Sequence, residues 1–142
     1  MREDGDAKKK ALEERVRQAS AAGFGATCGF RHVSFADGKA IVELDIAPSV
    51  QNMGGFLHGG AIATMVDDAG TLAIITADRD NRPGVTTDLN VSYFAPAPGG
   101  STVIAEATVL KIGKTLAFVT VDIRRKTDGV LVAQGRMTKF QG

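Results

Sequence analysis

His58-Gly59-Gly60, followed nine residues after the histidine by Asp67, holds the residue types that could do chemistry together. Two adjacent glycines let the backbone turn sharply into a helix and approach a ligand closely. The first-turn amides of a helix have no internal partner, and the macrodipole there favours negative charge. The Gly59 amide is therefore placed to bond a carbonyl oxygen that becomes negative in a transition state. The plain alternative is a Gly-Gly turn that only relieves crowding under a sheet. Asp67 and Asp68 are carboxylates inside the most hydrophobic segment of the chain. Burying such a group is costly unless it is paired or used. Asp68 is expected to face solvent, and Asp67 is the candidate reactive group.

The element that must position them runs from Ala61 to Thr76. Ile62, Met65, Val66, Ala69, Leu72 and Ala73 recur at spacings of three and four, which predicts a helix. Ala and Thr fill most other positions, so the helix is apolar nearly all round and should be the buried centre of the fold. Gly59 and Asp67 are eight positions apart, or ~12 Å along such a helix. The Asp67 side chain cannot reach a carbonyl held at its own helix entrance. If both act on one substrate, the carboxylate comes from a second subunit whose helix runs antiparallel alongside, as in a two-fold dimer.

Around that helix the chain predicts mostly strands. Met1–Asp6 reads as a disordered N-terminus, and residues 7–142 as one domain. Ala7–Ala22 is a helix, with Leu12, Val16 and Ala19 as an apolar stripe and Gly23 as its stop. Thr27–Phe35 and Ala40–Ile46 read as a hairpin closed by Ala36-Asp37-Gly38-Lys39. Pro48–Gly55 is a loop that carries Asn52. In the strand Val85–Phe94, strict alternation sets Val85, Thr87, Leu89, Val91 and Tyr93 against Thr86, Asp88, Asn90 and Ser92. Thr102–Leu110, Thr115–Arg125 and Val130–Phe140 complete a meander. The expectation is an α+β fold, an antiparallel sheet wrapped around one long helix, with an additional N-terminal helix. Its apolar outer face and long edges predict self-association.

Composition narrows the function classes. At 142 residues and 44% hydrophobic content the chain can bury a real core. A net charge of +1 gives no strong pull toward nucleic acid or anionic membrane. The single cysteine, Cys28, excludes an internal disulfide, suits a reducing compartment, and is expected to be a buried apolar residue in a strand. Two histidines and one cysteine make no metal cluster, so no metal is expected. No apolar run looks long enough to span a bilayer, and the N-terminus lacks the apolar segment of a secretory signal. A cytoplasmic location is expected, with the mitochondrion as the alternative because Arg15, Arg17 and Lys8-Lys9-Lys10 are basic.

Asn52, His58-Gly59-Gly60 and Asp67, at their mutual spacing, resemble the hot-dog-fold thioesterases of the phenylacetic-acid (PaaI-like) branch. Pro83–Tyr93, Gly113-Lys114-Thr115-Leu116-Ala117-Phe118 and Ala133-Gln134-Gly135-Arg136 sharpen the likeness, which covers roughly Phe30 to Phe140. The resemblance implies a hot-dog fold and hydrolysis of an acyl-coenzyme A thioester. It implies that the Gly59 amide and the Asn52 side chain polarise the thioester carbonyl. It further implies that Asp67 of the partner subunit activates or orients water, and that the Thr86 hydroxyl helps place it. His58 is expected to brace the loop rather than act as a base.

The resemblance also implies a coenzyme A site at Tyr93, at the turn Lys111-Ile112-Gly113-Lys114-Thr115-Leu116, and at Phe140. Lys111 and Lys114 can present ammonium groups and backbone amides to phosphates, although two lysines on a tight turn are more often a solvated hairpin. Coenzyme A would enter only as part of the substrate, with no separate cofactor. The partners implied are the acyl-coenzyme A substrate and further copies of the chain, as a dimer or a tetramer of two dimers. Neither nucleic acid nor stable membrane association is implied. The competing readings are a hot-dog hydratase or dehydratase, a non-catalytic acyl-coenzyme A binding protein, and a scaffold subunit without a ligand.

Overall fold

The structure, a computed structural model, describes residues Met1–Gly142. The elements run α1 (Arg2–Ser20), α2 (Gly23–Cys28), β1 (Arg31–Ala36), β2 (Lys39–Asp45), α3 (Gly59–Ala77), β3 (Val85–Tyr93), β4 (Thr102–Ile112), β5 (Leu116–Arg125) and β6 (Leu131–Phe140). Six antiparallel strands form one sheet in the order β1-β2-β4-β5-β6-β3. The expected wrap around one central helix is what the chain adopts. Alternation drives it: Val42, Ala105, Ile123 and Ala133 pair across four neighbouring strands and are all buried on the α3 side.

Glycine lets α3 sit close on that face. A Cβ on Gly135 of β6 would meet Val66 Cγ1 at 2.5 Å, and one on Gly70 of α3 would meet Met137 Cε at 2.7 Å. Either would have to push the helix off the sheet. At 19 residues α3 is long and apolar enough to cross a bilayer by length and composition, which corrects the expectation that no segment is. Its apolar face, from Ile62 through Met65, Val66 and Ala69 to Ala73, is spent on the sheet, so it serves as a core helix.

Three further expectations are corrected near the N-terminus and in β3. The first six residues are not disordered: α1 begins at Arg2, and Glu3 and Asp4 complement the positive end of its dipole. Thr27–Phe35 is not a single strand. Gly23–Cys28 is a short helix closed by Gly29 at φ +88°, a left-handed C-cap, and Cys28 is buried at its end. The strict alternation in β3 also fails. Thr86 pairs with Lys139 and Asp88 with Thr138, so Thr87 is an extra residue in a bulge. The bulge turns Thr86 onto the face of Leu89, Val91 and Tyr93, toward α3.

Candidate active site

β3 runs back along α3, antiparallel to it, and two side-chain hydrogen bonds tie the pair. At the strand's start Thr86 Oγ1 donates to Asp67 Oδ1 at 2.8 Å. At its end Tyr93 Oη donates to the Gly59 carbonyl at 3.0 Å. The Asp67 carboxylate and the helix entrance are thus held by opposite ends of one strand.

The entrance is built by local bonds. His58 caps α3, its Nδ1 accepting from the Gly60 amide at 2.8 Å. That bond leaves Nε2 to carry the proton of a neutral ring. The Gly59 amide, first in the helix, has no partner in the chain. In the preceding loop Asn52 Oδ1 accepts the amides of Gly54 and Phe56 at 3.0 and 3.1 Å. Because both of those are donors, the atom they meet is the amide oxygen, and the Asn52 NH2 group remains free to donate. Asn52 and Gly59 line one cleft of about 380 Å3 with Phe56, Ile62, Tyr93 and Pro96. It offers two unspent donors beside apolar walls, the equipment of an oxyanion site.

Asp67 opens elsewhere, into a cavity of about 420 Å3 between α1, α2 and α3. The separation expected from helix rise holds: within one chain the carboxylate and the donors face different openings.

The sequence profile of the Thioesterase superfamily matches residues 54–132, which include Gly59, Asp67 and Thr86. The chain belongs to the thioesterase superfamily. It is 46% identical over 110 residues to acyl-coenzyme A thioesterase 13 of Homo sapiens, covering 78% of each chain. The crystal structure of zebra fish thioesterase superfamily member 2 superposes with a TM-score of 0.84 at 41% identity, covering 90% of this chain and 94% of that one. A Streptococcus mutans protein solved bound to acetyl CoA superposes with a TM-score of 0.73 at 27% identity, over 80% and 90% of the two chains.

This thioesterase divides its expected coenzyme A residues between two places. Lys111 to Leu116 form the exposed β4–β5 turn, pinched by the Gly113 amide donating to the Leu116 carbonyl at 2.7 Å. Phe140 lies beside them, paired with Leu116 and with Val85. Tyr93 stands at the far end of β3, eight residues from Val85 or ~26 Å along the strand. A single chain does not bring Tyr93 and the lysine turn together.

Asp68 does not simply face solvent, which corrects the sequence expectation. His32 Nε2 donates to its Oδ2 at 2.7 Å, and His32 Nδ1 meets Ser20 Oγ at 2.6 Å, tying α1, β1 and α3 together. Burial, and secondarily the Asp68 charge, push the Cys28 thiol pKa up, so Cys28 is an inert core residue. The sequence reading also missed Lys139, which lines the Asp67 cavity and is only 5% exposed. The signal was available: in β6 the inward positions read Ala133, Gly135, Met137 and then a lysine.

Proposed function

We propose that this thioesterase hydrolyses acyl-coenzyme A to the free acid and coenzyme A, in active sites shared between two subunits. The carbonyl is polarised by the Gly59 amide and Asn52 of one subunit. Water is activated by Asp67 of the other, with Thr86 fixing the carboxylate. One observation carries the reading: Thr86 grips Asp67 and Tyr93 grips Gly59 at opposite ends of β3, whose outer edge has no neighbouring strand.

An open strand edge offers a row of unpaired amides and carbonyls to a second copy. Antiparallel pairing of β3 with its own copy sets the Thr86 end of one strand beside the Tyr93 end of the other. The same operation delivers one subunit's Asp67 toward the other's Asn52 and Gly59. It also brings one subunit's Phe140 and lysine turn toward the other's Tyr93, reuniting the coenzyme A residues. Lys111 and Lys114 have no acidic partner in the chain, which suits them to phosphates.

In the reaction water attacks the thioester carbon as Asp67 accepts its proton. The carbonyl oxygen becomes negative between the two donors, the C–S bond breaks, and the thiolate leaves and is protonated. A hydratase would need a free base beside the substrate α-carbon, and the histidine nearest the cleft is spent on Gly60. Thiol release from a panel of acyl-coenzyme A esters, from phenylacetyl to long-chain, tests the reading beside Asp67→Asn. Wild-type hydrolysis abolished by that change supports it; equal rates in both proteins remove Asp67 from the mechanism.

A further inference from the structure

Two rows of side chains meet above Asp67. Thr86 on β3 and Lys139 on β6 are direct cross-strand partners, so their side chains leave the same face of the sheet. Asp67 and Thr71 on α3 are four residues apart, so they share a face of the helix. Thr86 donates to Asp67 at 2.8 Å, and Lys139 Nζ donates to Thr71 Oγ1 at 2.6 Å. The four residues close a square in which the ammonium is anchored by the Thr71 hydroxyl, one helical turn from Asp67 and not in direct ion-pair contact with its carboxylate. Both charged groups line the same cavity.

We propose that Lys139 is a positioning residue for Asp67, supplying the counter-charge that holds the carboxylate aimed at its water. This rests on the reading of Asp67 as the base. An ammonium so deeply buried is costly unless a charge answers it. Burial pushes the Lys139 pKa down, and the Asp67 charge opposes that fall. The other titratable groups on the cavity are Asp68 from α3 and His32 from β1, which are bonded to each other. Lys139 is therefore the cation left for Asp67. Its methylene stem also fills the inward position that an apolar residue would occupy on β6.

The first test needs no turnover. The Lys139 titration, followed through its 13Cε resonance, is compared between wild type and the isosteric Asp67→Asn. The midpoint is expected to fall by about one pH unit or more when the opposite charge is removed. An unchanged midpoint overturns the pairing. The second test is the pH profile of kcat/KM for an acyl-coenzyme A ester in wild type, Lys139→Met and Lys139→Arg. The acid limb should move to higher pH in the methionine variant and stay near wild type in the arginine variant. A folded Lys139→Met enzyme with an unmoved acid limb overturns the proposal. If Lys139→Met does not fold, or wild type hydrolyses no acyl-coenzyme A ester, the resonance of Lys139 alone decides the pairing.

Discussion

Thr86 donates to Asp67 across 2.8 Å because a single extra residue, Thr87, turns its hydroxyl toward α3. Without the bulge Thr86 would lie on the opposite face from Tyr93, and the carboxylate would lose its partner on β3. Asp67→Asn is expected to lower kcat by roughly 10²-fold or more, the scale of a lost general base. Thr86→Val removes one hydrogen bond to a charged group, worth ~1.5–3 kcal/mol, and should cost about ten- to a hundred-fold. Thr86→Ser keeps the hydroxyl and should retain most activity. A valine variant as fast as wild type would detach Thr86 from catalysis.

The proposed sharing of sites between subunits is decided by a complementation experiment. Asn52→Ala and Asp67→Ala, each checked to be inactive, are unfolded, mixed equally and refolded together. Random pairing leaves about half the dimers mixed, each with one intact site of two, so about a quarter of wild-type activity should return. If the mixture stays as inactive as its parents while refolded wild type recovers, each site lies within one subunit.

The β4–β5 turn should govern binding and leave chemistry alone. Replacing Lys111 and Lys114 together by Ala is expected to raise KM at constant kcat, since phosphate contacts are alike in ground and transition states. The penalty should shrink as ionic strength rises. Steady-state kinetics in two salt concentrations reads both effects, and a selective fall in kcat would contradict the assignment.

Asp78, at the C-terminal end of α3, predicts an acid limit to stability. It is 4% exposed and accepts the amides of Asp80 and Arg82 together with the Arg82 guanidinium at 2.9–3.1 Å. The Arg82 side chain foremost holds its carboxyl at about 2, below the ordinary 3.8. A carboxyl depressed in the folded state stabilises fully above its unfolded value and loses that contribution as pH falls through the folded one. Asp78 should thus contribute roughly 2 kcal/mol above about pH 4, fading toward pH 2. Urea midpoints of wild type and Asp78→Asn should differ at pH 7 and converge near pH 2; a pH-independent difference would assign the effect to packing.

Asp68 should behave unlike its neighbour. Asp68→Asn weakens the tie between His32 and α3 by removing the acceptor's charge, while leaving Thr86 on Asp67. A lowered melting temperature with kcat within a few-fold of wild type is the expected result. A larger loss of kcat than in Asp67→Asn would mean that the two carboxylates have been assigned in reverse.

What the sequence determined by itself is what lies within a turn or two along the chain. The three-to-four spacing of Ile62, Met65, Val66, Ala69 and Ala73 marks the central helix. His58-Gly59-Gly60 marks its entrance, and alternation marks β2, β4 and β5, because such patterns express local backbone periods. Even the separation of Gly59 from Asp67 was legible, since helix rise is a fixed length. The tertiary structure alone decided what depends on pairing between distant segments. A bulge shifts register by one residue and flips every side chain beyond it, and no local pattern announced the one at Thr87. Asp68 found His32 from 36 residues away, and Lys139 met Thr71 from 68 residues away. Those contacts exist because α3 packs on the face of the sheet to which β1 and β6 both contribute, and burial there requires every charge brought in to find a partner.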